Sequence, residues 1–223
     1  MPVTAEQRER VLRFHQAISR WLKPAVAMVV PQAEVDSVLA QARGSFEEML
    51  DELPYADRPG HVMFGSMFAC AAMLSVFRVI RERGVDAHEW GRACHTLPPG
   101  VEPSDEASQQ RSRRDADASQ QGAAPNEFVF EMIDVDGDGV RGMNVTSCAI
   151  CHLFGKYDAI ELVPYMCSFD DVVSDAGKQG LRRTGTIALG ATHCDFRFRD
   201  GGEPLRLAEQ YPDHIRLDPK SVD

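Results

Sequence analysis

Apolar residues recur at helical spacing through residues 1–100. Val11, Leu12, Phe14, Ile18 and Trp21 or Leu22 form one stripe behind a Thr4–Gln7 capping box. This predicts a helix to about Trp21, ended by Pro24. Pro31 marks the start of a second helix carrying Val35, Val38, Leu39, Phe46, Met49, Leu50 and Leu53. The stretch from Val62 to Phe77 has no charge, and Arg78 closes it. It is shorter than the ~20 residues of a spanning helix, so it is read as a buried central helix over 61–83 that stops at Gly84. Asp86 and Glu89 cap a short helix through His95, which Leu97-Pro98-Pro99-Gly100 ends.

The pattern then changes twice. Residues 101–125 are rich in Ser, Gln, Asp and Arg with almost nothing apolar, as expected of a flexible linker or insertion. From Phe128 the period becomes two. Phe128, Phe130 and Met132 alternate with Val129, Glu131 and Ile133, a turn follows at Asp134–Gly139, and Val140, Met143 and Val145 return the chain. Helices are expected from Thr146 or Ser147 to about Tyr157 and across Ile160–Ala176, then a strand pair of 181–189 and 194–199 around Gly190. The fold class is therefore α+β, with an N-terminal helical layer packed with a small antiparallel sheet and C-terminal helices. Its divisions are 1–100 helical, 101–125 linker, 126–200 α+β and 201–223 tail.

Composition narrows the partners. A net charge of −10 argues against a general nucleic-acid binder, and the arginines at 111–114 and 182–183 lack interleaved aromatics. The first ten residues lack a signal-peptide core, which predicts a cytoplasmic chain whose six cysteines stay reduced. The expected partner is a small molecule, with no nucleic acid and no membrane. Oligomeric state is left open.

Four of the cysteines fall after residue 147. Cys148-Ala149-Ile150-Cys151-His152 spells the haem-c attachment pattern, but that attachment needs export, and a single occurrence is cheap by chance. The same residues with Cys167, His193 or Cys194 have ligand types suited to zinc or another divalent metal, yet no paired CxxC spacing supports it. No metal ligand and no cofactor is therefore assigned. A redox use of Cys148 and Cys151 is also open, since a thiol at a helix start has a lowered pKa. Asp134-x-Asp136-x-Asp138-Gly139 opens like a calcium loop, but position twelve is Val145 and the flanks look like strands, so a hairpin turn is expected.

Four blocks in order carry a resemblance: 144–148 (Asn-Val-Thr-Ser-Cys), 167–170 (Cys-Ser-Phe-Asp), 183–186 (Arg-Thr-Gly-Thr) and 190–197 (Gly-Ala-Thr-His-Cys-Asp-Phe-Arg). Together they resemble the L-2-amino-thiazoline-4-carboxylate hydrolase family over about residues 126–200. The resemblance implies hydrolytic opening of a thiazoline ring to S-carbamoyl-cysteine, with Cys148, Cys167, Asp170, Cys194 and Asp195 as site candidates. The 101–125 segment then looks like an insertion, and Cys151-His152 like an addition. A fainter likeness to small-molecule-binding domains of the vinyl-reductase type implies binding without chemistry.

Ring opening at a C=N–S carbon needs a nucleophile, a proton for the leaving nitrogen and an anchor for the substrate carboxylate. Cys167 is the preferred nucleophile once its pKa is lowered, with water activated by Asp170 or Asp195 as the other route. His193 has the chemistry of a proton shuttle. Arg183, helped by Thr184 and Thr186, would hold the carboxylate, with Cys148 and Cys194 also on the substrate-binding side. The expected function is a hydrolase cleaving a C–N bond in a small heterocycle or amidine. The alternative is a non-catalytic small-molecule or metal sensor using the same Cys/His pocket.

Overall fold

The computed structural model describes residues 3–100, 106–134 and 138–217. Helix α1 spans Ala5–Val29 and opens on the expected box: Gln7 N–H donates to Thr4 Oγ1 at 3.3 Å, and Thr4 N–H donates to Gln7 Oε1 at 2.8 Å. It does not stop at Pro24. A proline inside a helix costs ~3 kcal/mol through its lost N–H and its ring clash. The turn around it places Leu22, Ala25 and Val26 out of solvent altogether, and burial of that order offsets the cost.

A 3-10 turn at Gln32–Glu34 leads into α2 (Val35–Met49), whose Val35, Val38, Ala42, Phe46 and Met49 form one buried stripe. Helix α3 (Phe64–Ile80) is the central element and packs against α1 and α2. With the turn after it, Phe64–Arg83 is apolar and long enough to cross a membrane by composition, but 67% of that window is buried inside the protein. Gly84 at φ 87° ends it, a conformation that costs glycine little. Helix α4 (Ala87–His95) opens on the Asp86–Glu89 box.

The segment expected to be a flexible linker carries helix α5 (Glu106–Gln120); residues 101–105 lie outside the described residues. Its stability does not come from an apolar face, which is why composition missed it. Polar groups dock it instead. Ser119 Oγ accepts Phe130 N–H at 3.1 Å, Gln120 Nε2 donates to Phe130 O at 2.8 Å, and Asp115 Oδ2 accepts Val62 N–H at 2.9 Å.

Four strands form one antiparallel sheet in the order β1-β2-β4-β3: β1 Val129–Ile133, β2 Arg141–Ser147, β3 Leu181–Arg182 and β4 Cys194–Phe198. The register pairs Phe130 with Val145 and Val145 with Cys194, so these residues share the core face. The other face carries a polar ladder: Asn144 Nδ2 donates to Glu131 Oε1 at 2.8 Å, and Arg197 Nη2 donates to Asn144 Oδ1 at 2.9 Å. Strands flank the Asp134–Gly139 segment as a hairpin turn requires, although Val135, Asp136 and Gly137 lie outside the described residues.

The expected 181–189 strand is only two residues long. Beyond Arg182 the chain turns through a 3-10 segment at Ile187–Leu189 and passes Gly190 at φ 89°. Backbone donors at 184 and 185 are captured by Asp195 instead of a neighbouring strand, so the ladder cannot extend.

Helix α6 (Ala149–Lys156) and helix α7 (Val163–Ala176) complete the C-terminal half, with a final turn, α8 (Leu207–Gln210). One contact ties the halves together. A Cβ on Gly91 of α4 would lie 2.3 Å from the Tyr165 ring of α7, so the ring lies directly on the helix backbone. Tyr165 cannot step aside, because its hydroxyl lies 2.5 Å from His88 Nδ1 and accepts Arg216 N–H at 2.9 Å. Gly91→Ala is expected to destabilise the protein by about 1–3 kcal/mol. Urea denaturation measures this, and an unchanged midpoint would show that the ring has room to move.

Candidate functional site

Helix α7 is the frame of the site. Pro164 sits in its first turn, and a 3-10 turn at Ile160–Leu162 feeds it. Cys167 and Asp170 are three residues apart on one helical face, and Asp171 stands beside them. The chain returns after β3 to place Arg183 beneath that face. Arg183 Nη1 donates to Asp170 Oδ2 at 2.9 Å, Nη2 donates to the Cys167 carbonyl at 2.6 Å, and the guanidinium lies 4.5 Å from the Phe196 ring centre.

The pair is lopsided. The Arg183 side chain has no exposed surface, whereas 47% of the Asp170 side chain is open. Asp170 nevertheless sits in dense surroundings, and burial raises its pKa above the ordinary carboxylate value with Arg183 opposing. Asp170 is thus a half-exposed carboxylate closely flanked by protein. The arginine stays charged and holds it from below.

Three thiols lie within electrostatic range of this carboxylate. Cys70, Cys167 and Cys194 all feel the charge of Asp170, and Cys148 is electrostatically coupled to each of those three. They come from α3, the start of α6, α7 and β4. Burial pushes the Cys167 thiol well above its ordinary value, and Arg183 only partly opposes it. Cys194, buried in β4 with Ile187 N–H donating to its sulfur at 3.3 Å, is pushed up to about 11. Cys148 is the N-cap of α6 and accepts Cys151 N–H at 3.4 Å. Its contact with the Cys151 thiol, then burial, raises it despite backbone donors at Ile150 and Cys151. The low-pKa thiol expected at a helix start is thus overruled by a second thiol and by burial.

Other expected site residues lie elsewhere or are already occupied. Asp195 accepts Thr184 N–H at 2.9 Å, Thr184 Oγ1–H at 2.6 Å and Gly185 N–H at 2.9 Å. Burial pushes its pKa up, but these bonds outweigh it and hold it below the usual value, so it is an ionised anchor for the 184–185 turn. Thr184 spends its hydroxyl on that anchor. Thr186 is wholly buried with its hydroxyl unpartnered, and Arg183 is sealed against Asp170, so neither presents a donor to a substrate carboxylate. The His193 Nδ1 contact is with its neighbour Thr192 at 3.1 Å. His152 lines a separate recess of about 310 Å³ with Glu52, Asn126 and Lys156. A second, of about 290 Å³, opens beside Met132, Met143 and Phe198. Neither is lined by Asp170, and chemistry rather than volume singles out the Asp170–Arg183 pair.

Among the described residues no three His, Cys, Asp or Glu side chains converge as metal ligands. Sequence reasoning missed Cys70, which reads as packing inside an apolar helix. It also missed an aromatic edge in which Phe169 meets Trp21 and His95, with ring centres 5.8 and 5.7 Å away. His95 Nε2 lies 2.9 Å from Ser168 Oγ. Nothing in the spacing of residues 21, 95 and 169 announces that they meet.

Residues 99–198 match the family model described as L-2-amino-thiazoline-4-carboxylic acid hydrolase, the family that the four sequence blocks resemble. The match contains Cys148, Cys167, Asp170 and Arg183, and it begins early enough to take in the segment expected to be an insertion. No curated protein and no solved structure matches the chain.

Asp171 is the second acid that the local sequence offers and the one that solvent does not reach. Oδ2 accepts Leu207 N–H at 2.9 Å, while Oδ1 is buried without a hydrogen-bond partner. Burial pushes its pKa from 3.8 up to about 6. The folded protein therefore holds this proton more tightly than the unfolded chain does. Its contribution to stability is full below the unfolded value and is lost as pH rises through about 6. Two units correspond to about 3 kcal/mol. Asp171→Asn keeps the acceptor for Leu207 and removes the titration. Relative to the parent, the variant is expected to gain about 2–3 kcal/mol between acidic and neutral pH. Urea unfolding across that range measures the gain, and a pH-independent difference would show that Asp171 does not bind its proton this way.

Proposed function

We propose that this chain hydrolyses a C–N bond in a small, thiazoline-like amidine, with Asp170 as the base that activates water. The observation that carries the reading is the half-open Asp170 carboxylate held on a sealed arginine inside the family-matched segment. Hydrolysis of a ring such as 2-aminothiazoline-4-carboxylate requires water to add to the carbon between sulfur and nitrogen. The C=N electron pair moves to the ring nitrogen, and the carbon–nitrogen bond then breaks. Asp170 takes the water proton and returns it to the departing nitrogen, so one carboxyl group serves both steps. A raised pKa suits that double duty, because the group is both a better proton acceptor and a usable donor.

Water is the attacking group best matched to the electrostatics. A thiolate at Cys167 would form against strong burial, and no backbone N–H is found donating to its sulfur among the described contacts. Cys167 and the other thiols then supply a soft, weakly polar wall against which a sulfur-containing ring packs. Arg183 acts through Asp170 as a positioning residue.

Steady-state turnover of 2-aminothiazoline-4-carboxylate tests the reading. Asp170→Asn, which keeps an acceptor for Arg183, is expected to lose about 10²–10⁴-fold in kcat. Cys167→Ala is expected to stay within about tenfold of the parent, and a loss as deep as that of Asp170→Asn would move the attack to sulfur. Activity should fall as pH drops through the raised Asp170 pKa, placing the acid limb above the ordinary carboxylate range. Tight binding of the ring with no product would instead favour a sensor.

A further inference from the structure

Cys151 is the thiol that the mechanism leaves unused. It stands in the first turn of α6, on the helix that Cys148 caps. The Cys148 backbone is extended at φ −114° and ψ 109°, which folds its side chain back over that turn until the sulfur meets Cys151 N–H at 3.4 Å. Cys151 is the neighbour that most influences the Cys148 thiol, whereas Cys70 and Cys167 feel Cys148 only electrostatically. Both side chains are part-exposed, so a small reagent can reach them.

We propose that Cys148 and Cys151 form a thiol–disulfide couple at the head of α6, which exchanges with low-molecular-weight disulfides and displaces the Cys148 sulfur. One thiolate attacks a sulfur of the incoming disulfide and expels a small thiolate, leaving a mixed disulfide. The second protein thiolate attacks that mixed bond and expels the other small thiolate. One S–S bond forms as another breaks, and the two protons lost by the protein end on the two small thiols. The sulfurs need only close from contact to a bond of about 2 Å. The raised Cys148 pKa makes the exchange faster in mild alkali than at neutral pH.

The bond pulls the Cys148 sulfur toward Cys151 and so changes the electrostatic setting of Cys167, beside Asp170 on α7. Loss of turnover on oxidation rests on the hydrolase reading, whereas formation of the bond does not. The test equilibrates the full chain in mixtures of oxidised and reduced glutathione, traps free thiols by alkylation, and maps peptides by mass. The expected result is one reversible two-electron transition that links Cys148 to Cys151 and is absent from Cys151→Ser and Cys151→Ala. Both variants, when reduced, should turn over like the parent. The parent should lose turnover in proportion to the linked fraction, while the variants hold theirs in the same buffers. No linkage, or linkage of Cys148 to Cys167, overturns the couple. Equal turnover in linked and reduced parent overturns its effect on the Asp170 site. Should the parent lack turnover in every state, the mass map still decides the couple by itself.

Discussion

A guanidinium with no exposed surface must find its hydrogen-bond acceptors inside the protein, and Arg183 finds them on one helix. Asp170 supplies the only charge it bonds among the described contacts, and the Cys167 carbonyl supplies a neutral acceptor. Breaking such a pair leaves an unpaired buried charge, which costs about 3–5 kcal/mol. The segment after β3 is therefore committed to α7, and with it the turn that Asp195 holds at 184–185. Phe196 closes over the guanidinium from the sheet. Helix, loop and strand converge on one charge, and the open side of Asp170 is what this arrangement leaves available to solvent.

Where apolar spacing decided the structure, the sequence was enough. The capping boxes at Thr4 and Asp86, the buried stripe of α2, the central α3 and the strands on either side of the Asp134 turn all follow from it. Pro24 was misleading because a local rule met a tertiary gain: the turn that contains it buries three side chains. Helix α5 was hidden for the opposite reason. Its docking uses Ser119, Gln120 and Asp115, polar residues that look like solvent-facing linker until a strand edge and the start of α3 are brought to them. The short β3 was illegible because a side chain eleven residues away, Asp195, competes for its backbone donors.

The site was legible as a neighbourhood and not as a set of roles. Cys167 and Asp170 share one face of α7, with Cys148 and Cys194 within electrostatic range of Cys167. Arg183 meets Asp170 rather than open space, Thr184 and Asp195 are consumed by the loop itself, and Thr186 is buried with its hydroxyl unpartnered. Roles of this kind depend on which side of a residue faces water, and a one-dimensional pattern does not carry that when the chain turns irregularly. The thiols carry the same lesson in energetic form. Their residue type suggests nucleophiles, but burial raises Cys167 and Cys194 against the arginine that would lower them, and the Cys151 thiol, then burial, raises Cys148 against its helix start.

Tyr165 also sets the order in which the molecule can be completed. Its ring needs Gly91, and its hydroxyl needs His88 from the first half and the backbone of Arg216 near the far end. A ribosome delivers those partners over a separation of more than a hundred residues, so the helical half emerges with its seam to α7 unfilled. Apolar surface on α3 and α4 stays uncovered until the last turn of chain arrives. The seam makes the protein a single late-closing unit during synthesis, and the interval before closure is when it is most exposed to aggregation and proteolysis.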